Sequence, residues 1–195
     1  MEPLITNYLS FYKKIVPEFT QEELDFVGSR VTLIKIKKND FYLNQGEVQS
    51  NIGFVSSGLT RIFYIDSSGN EITVGFSPEN TFTTDYASFI KQQPSNYIIK
   101  AIEPSTIIAL DFKHMQEGYS LYRNYERFGR LIVEHILTER QKKIESFLFH
   151  TAEQRYINFT KQYPELFNRI SITHLSSYIG VERQSLTRIR KKLLH

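Results

Sequence analysis

The sequence contains no cysteine and no tryptophan, and no part of it approaches the run of about 18 apolar residues that a membrane span needs. The absence of cysteine excludes disulfides, thiolate zinc sites, cysteine-ligated iron–sulfur clusters and cysteine nucleophiles. The N-terminus has no basic segment ahead of an apolar one, so it is not typical of a secretory signal. We therefore expect a cytoplasmic protein with no membrane partner.

Groups for metal and acid–base chemistry are also few. The histidines all lie outside the predicted strands, at positions 114, 135, 150, 174 and 195. A barrel metal site with two or three histidines therefore cannot be assembled, and the sequence has no P-loop and no G-x-S-x-G motif. Glu71, Glu79 and Asp85 could form an acid–base pair, but carboxylates at strand ends are usually only solvated. We expect neither an enzyme nor a metal site, and the sequence names no cofactor.

Apolar residues make up 41% of the 195 residues, which is enough for a substantial core. Helical spacing over residues 2–15 and a capping box at Thr20 and Glu23 predict two helices at the start. The apolar period then shortens, with turn residues recurring every eight to twelve positions. The predicted strands are 31–36, 41–43, 52–55, 59–65, 71–76, 97–102 and 106–110. This pattern indicates an α+β protein with a jelly-roll-like antiparallel β-roll that can enclose a small ligand.

Residues from about 122 to 149 predict one long helix, with no proline and a single glycine. Its apolar residues form two stripes, one through Tyr125, Phe128, Ile132 and Ile136, the other through Val133, Leu137, Ile144 and Leu148. One stripe can pack on the barrel of the same chain, and the second needs another surface. A second copy of the helix is the simplest such surface, although both stripes could also be buried within one subunit. For a homodimer we assign the interface to the first stripe together with a neighbouring histidine: Tyr125, Phe128, Ile132, His135 and Ile136.

The last 25 residues form two short helical patterns on either side of Gly180, which predicts a helix-turn-helix. In the second helix, 183–194, Leu186, Ile189 and Leu193 define a buried face. The opposite face carries groups suited to base edges and phosphates in a major groove: Arg183, Gln184, Ser185, Thr187, Arg188 and Lys191. Residues 150–195 carry a net charge of +5 and residues 1–149 a net charge of −2. This distribution favours double-stranded DNA as a partner. The alternative is a ligand-binding or dimerising module whose helix-turn-helix does not bind DNA.

Two segments carry a family resemblance, Gly53-Phe-Val-Ser-Ser-Gly58-Leu-Thr-Arg-Ile-Phe-Tyr64 and Asp66-Ser-Ser-Gly69-Asn-Glu71. They resemble the strand–glycine–strand–turn of cyclic-nucleotide-binding domains. With the long helix and the helix-turn-helix, the whole chain resembles a Crp/Fnr-family transcription regulator. The resemblance implies a sensor domain over 1–149, a DNA-binding domain over 150–195, a homodimer, a palindromic operator, and RNA polymerase as a further partner.

The resemblance also assigns individual residues. It places Arg183, Gln184 and Arg188 at base-reading positions, with Gln184 where the family usually has glutamate, so the operator should differ from the family consensus. For the sensor it implies the ligand segments Phe82-Thr83-Thr84-Asp85 and Ser95-Asn96. Ser95 stands where the family's arginine neutralises the cyclic phosphate, and a buried phosphate without a cation is costly. We therefore do not expect cyclic AMP to be the ligand. The family's β-hairpin wing has no obvious counterpart after the recognition helix.

Overall fold

The computed structural model describes residues 3–193, which form an α+β fold. Its helices are α1 (Pro3–Ile15), α2 (Gln21–Ser29), α3 (Tyr86–Lys91), α4 (Phe112–Leu121), α5 (Arg123–Phe149), α6 (Ala152–Gln162), α7 (Ile172–Ile179) and α8 (Arg183–Leu193). Its strands are β1 (Val31–Ile36), β2 (Phe41–Leu43), β3 (Asn51–Ser57), β4 (Thr60–Ile65), β5 (Glu71–Ser77), β6 (Phe82–Thr83), β7 (Ile98–Ala101) and β8 (Ser105–Asp111). A short 3-10 helix covers Pro164–Leu166. No helix in this described part of the chain has the length and apolarity to cross a membrane.

The strands form two four-stranded sheets with the orders β1-β8-β3-β6 and β2-β7-β4-β5. In the first sheet β8 lies between β1 and β3 and is antiparallel to both, with Ile108 opposite Leu33 and Phe54. Apart from the consecutive pair β4 and β5, neighbouring strands in the sheets are far apart in sequence, as they are in a jelly roll. The predicted antiparallel β-roll, long helix and C-terminal helices are confirmed.

The conformation of Gly58 explains why the sequence signature has a glycine at this position. It joins β3 to β4 with φ +91°, a left-handed conformation that disfavours residues with a side chain. A Cβ added there would lie 2.5 Å from the carbonyl oxygen of Pro104 and 2.7 Å from the Cα of Ser105. The turn therefore needs glycine both for its backbone angle and for the close approach of the chain before β8.

Aromatic side chains fill the core between α1, the β3 side of the roll and the start of α5. Tyr12 stacks on Phe128 with ring centroids 3.8 Å apart, and the Tyr8 and Tyr12 hydroxyls are 2.7 Å apart. Phe54 and Phe82 contact the same group of rings. Burial raises the pKa of both tyrosines well above the ordinary value, so both hydroxyls stay protonated.

The chain divides into two compact units. One comprises the residues up to 62 together with 76–135, and the other comprises 63–75 together with the residues from 136 onward. The second unit therefore contains the turn end of the β4–β5 hairpin, the second half of α5 and the helices α6 to α8. The domain joint that we predict at 149/150 lies at the end of α5, whereas the two compact units divide within α5, between His135 and Ile136.

Candidate nucleic-acid interface and sensor site

The helices α7 and α8 are joined by a tight turn at Gly180. Ser171 caps the start of α7 by accepting a hydrogen bond from the His174 amide at 3.1 Å. Gly180 ends α7 in the left-handed conformation, with φ +76°. A Cβ on Gly180 would lie 2.5 Å from the Phe147 ring, so this turn also requires glycine. The short turn fixes α8 relative to α7.

The polar row of α8 faces outward, opposite a buried anchor. Leu186 is 0% exposed, whereas Arg183, Gln184, Arg188 and Lys191 are exposed. At the edges of this row Ser185 and Thr187 are half-buried, and the Thr187 hydroxyl donates to the Arg183 carbonyl at 3.0 Å. Arg183, Gln184 and Thr187 also line a shallow concavity together with Glu182. The polar groups singled out by the sequence therefore lie together on one accessible face.

Two other cations of α8 are held by their own unit. Lys192 pairs with Glu153 of α6 at 2.8 Å, and the Arg190 guanidinium lies 4.7 Å from the Phe167 ring centroid. These contacts direct both side chains toward their own unit, although the Lys192 side chain remains 70% exposed. The anchoring face is also shorter than we predicted, because Leu193 is 42% exposed. Leu194, which we predict as the last residue of this helix, lies outside the described residues.

In the sensor segment, Asp85 lies in a buried polar network rather than facing an open cradle. One of its carboxylate oxygens accepts hydrogen bonds from the Ser88 hydroxyl at 2.6 Å and the Ser95 hydroxyl at 2.8 Å. The Asp85 amide and the Thr84 hydroxyl both donate to the side-chain oxygen of Gln49. Asp85, Ser95, Thr84 and Gln49 are all nearly inaccessible to solvent. The structure thus brings three predicted residues together and adds Gln49, which we did not predict.

The remaining predicted sensor residues are arranged differently. Thr83 is buried and pairs its hydroxyl with that of Thr60 at 2.8 Å. Phe82 contacts the rings of Phe11, Phe54 and Phe128, as core residues do. Asn96 is exposed. These residues therefore do not share one concave surface with Asp85.

The charged groups near the Asp85 network determine how well a cyclic phosphate could be held there. Between residues 78 and 99 the only cation is Lys91, which is exposed at the end of α3, while the buried Arg61 of β4 already interacts within the fold. The Ser95 hydroxyl, at the position where the family resemblance implies an arginine, donates to the Asp85 carboxylate and accepts from the Tyr97 amide. A phosphate placed here would meet a second anion without a counter-charge, which is strongly unfavourable in a buried site. Among residues 3–193, no three His, Asp or Glu side chains form a metal-ligand group.

The structure corrects our assignment of the two stripes of α5. Tyr125 is 2% exposed and Phe128 is 4% exposed, because both belong to the aromatic core of their own chain. Ile132 is partly buried against the same core. Tyr125 and Phe128 are therefore unavailable to a second copy. His135 is exposed and Ile136, like Ile132, is half-buried, so these three of the assigned residues retain accessible surface.

The second stripe is the accessible one. Leu137, Ile144 and Leu148 are between 61% and 70% exposed, and they lie at intervals of seven and four residues on one side of α5. Large apolar side chains repeated along a helix at such spacing are typical of a helix–helix interface.

The fold of this chain resembles that of solved transcription regulators, among them one of the crp/fnr family. Residues 33–120 match the family model of the cyclic nucleotide-binding domain. The predicted resemblance to Crp/Fnr regulators is confirmed in the fold of the chain.

Three solved structures show how far this similarity extends. FixK2 from Bradyrhizobium japonicum has a TM-score of 0.75 at 13% identity, over 84% of each chain. The c-di-GMP responsive global regulator CLP of Xanthomonas campestris has a TM-score of 0.71 at 15% identity, over 90% of this chain and 92% of its own. The catabolite activator protein of Thermus thermophilus has a TM-score of 0.58 at 17% identity, over 91% and 84%. Among curated proteins, none matches this sequence.

Proposed function

We propose that this protein is a homodimeric, non-enzymatic transcription regulator that binds a palindromic DNA operator through α8. The observation that carries the proposal is the exposed row of Arg183, Gln184, Arg188 and Lys191 on the side of α8 opposite the fully buried Leu186. An amphipathic helix of this kind fits the major groove, which is wide enough to admit one helix. The positive charge of residues 150–195 attracts the phosphates on either side.

Each side chain of this row has a role that follows from its chemistry. Arg183 and Arg188 can each donate two hydrogen bonds to the O6 and N7 atoms of guanine, and the Gln184 amide can pair with N6 and N7 of adenine. Lys191, Ser185 and Thr187 are suited to phosphate oxygens, which fix the register of the helix without reading sequence. An operator half-site with guanine and adenine positions follows from this set.

The exposed stripe of α5 supports the dimer. Leu137, Ile144 and Leu148 would be buried against the same residues of a second copy, which matches the twofold symmetry of a palindrome. The two α8 helices would then lie about 34 Å apart, one turn of the duplex.

Selection of bound DNA from a random pool tests this function. We expect a palindrome with half-sites one helical turn apart, and an affinity that falls steeply with salt as phosphate contacts release counterions. Arg183→Ala should weaken binding by about 1–3 kcal/mol and relax the preference at one base position. Lys192→Ala is the matched control on the same helix, since Lys192 is paired with Glu153, and it should have a small effect. A pool that yields no bound DNA at any salt concentration favours the module without DNA binding.

The sensor roll, on our proposal, does not take cyclic AMP. In the buried network the Ser95 hydroxyl donates to the Asp85 carboxylate. A phosphate at this place would therefore meet a negative charge instead of a cation. Calorimetric titration of the protein with cyclic AMP should therefore show no binding at millimolar nucleotide. Binding at micromolar concentration contradicts the assignment.

A further inference from the structure

The end of α7 is held by side chains from two other helices. The last carbonyl groups of a helix have no donor within that helix. At the end of α7, the Gly180 and Val181 amides reach only the carbonyls of Ser176 and Ser177. The two carbonyls that follow receive side-chain donors instead: Lys143 of α5 donates to Tyr178, and the Nε atom of Arg155 of α6 donates to Ile179 at 2.8 Å.

Aromatic rings enclose both cations. The Lys143 nitrogen lies 3.2 Å from the Tyr178 ring centroid and 4.7 Å from that of Phe147. The Arg155 guanidinium lies 4.7 Å from the same Phe147 ring, which packs against Gly180. Arg155 also donates to the His150 carbonyl at 2.7 Å, and this second bond fixes its position independently of α7. Lys143 makes its only protein hydrogen bond in the described residues to the end of α7.

We propose that Lys143 is a positioning residue for DNA reading, which fastens the helix-turn-helix to the second half of α5 through the Tyr178 carbonyl. Since only Val181 and Glu182 separate Gly180 from α8, the direction of α8 follows from how the end of α7 is held. The effect on DNA rests on the proposed function, whereas the effect on α7 does not.

We call the hydrogen bond from Lys143 to the Tyr178 carbonyl the clamp, and its stability depends on pH. Burial first, and the Arg155 charge second, lower the pKa of Lys143 from about 10.5 to about 7. Tyr163, Glu139 and Arg140 act electrostatically on the neighbouring Tyr178 hydroxyl. When α7 detaches, Lys143 returns to water and its pKa returns to the ordinary value. Between pH 7 and 10.5 the clamped form therefore holds fewer protons than the open form, so raising the pH above 7 tightens the clamp and lowering it to 7 weakens it.

Hydrogen exchange of the protein alone is the first test. The protection factors of the Gly180, Val181 and Leu186 amides should rise with pH above 7, by up to about tenfold per pH unit for one linked proton. Lys143→Met should remove this pH response, because no titrating amine remains. Lys142→Met is the matched control: the Lys142 side chain is 64% exposed, pairs with Glu139, and carries the same charge one residue away. It should leave the response unchanged. A flat profile for the unmodified protein contradicts the proton linkage, and equal protection of these amides in Lys143→Met and in the unmodified protein overturns the proposal.

DNA binding is the second test, and it separates positioning from folding. Lys143→Met should weaken binding to the full palindrome about tenfold more than binding to a single half-site, because the contacts of one α8 are intact while the alignment of two is lost. Lys142→Met should weaken both equally or not at all. Equal loss on both DNAs for Lys143→Met overturns the positioning role. If the unmodified protein binds no DNA, the proposed function fails, and the exchange profile alone decides whether Lys143 holds α7.

Discussion

Phe128→Ala is expected to lower the free energy of unfolding by about 3–5 kcal/mol, the cost of emptying an aromatic site in a packed core. The Phe128 ring stacks on Tyr12 at 3.8 Å and contacts Phe11, Phe19 and Phe82 edge-on. These neighbours come from α1, from the segment before α2 and from the strand pair at β6, so they cannot close over the gap together. Chemical denaturation followed by circular dichroism measures the loss.

Leu148→Ala is the control for this experiment, because Leu148 lies on the same helix and is 70% exposed in one chain. At a protein concentration low enough to dissociate any dimer, it should change the unfolding free energy little. If Phe128→Ala instead left the stability unchanged and separated the dimer, the interface would include the first stripe of α5 after all.

The assignment of the dimer interface to the first stripe of α5 was wrong for a physical reason. Both have the spacing of a helix face, so the period of α5 cannot tell which one meets its own chain. That is decided by Phe11 and Tyr12, more than one hundred residues earlier, whose rings cover Phe128. The sequence around α1 predicts a helix with an apolar side, but it does not specify the partner of that side. Helical periodicity therefore does not predict which face of a helix is buried when the burying residues lie far away in sequence.

Local signals predicted the elements well. Strand limits followed from alternation and turn residues, and the predicted capping box at Thr20 forms with the expected side-chain hydrogen bonds, as does a second one at Thr151. The two-residue strand β6 and the six-residue helix α3 were not predicted, because neither is long enough to show a period.

The two sites differ in how much could be predicted. The polar row of α8 is a local pattern within one helix, so its residues could be identified from spacing alone. The Asp85 network needs Gln49, which is 36 residues earlier and has no pattern that marks it. The Lys143 clamp likewise joins α5 to the end of α7, 35 residues later. In the sequence Lys143 is simply the second of two adjacent lysines, and only the fold separates the buried one from the exposed one.

The double variant Leu137→Glu, Leu148→Glu is expected to convert the proposed dimer into a monomer. Both side chains lie on the exposed stripe of α5, and in a symmetric helix pair the new carboxylates would face an apolar seam and repel their copies. Loss of the dimer should weaken binding to the palindrome by about 10²–10⁴-fold, since the second half-site no longer binds as part of the same molecule. Light scattering gives the mass, and a titration of labelled DNA gives the affinity.

The same variant should bind a single half-site as the unmodified protein does, because α8 is unchanged. Leu121→Glu supplies the control: Leu121 is also apolar and 58% exposed, but it lies at the end of α4, outside the stripe. It should leave the dimer and the palindrome affinity intact. A double variant that remains dimeric would show that the copies associate through another surface, and the spacing of the two α8 helices would then have to be set by that surface. A monomer that still binds the palindrome at full affinity would instead show that one α8 is sufficient, and the operator need not be symmetric.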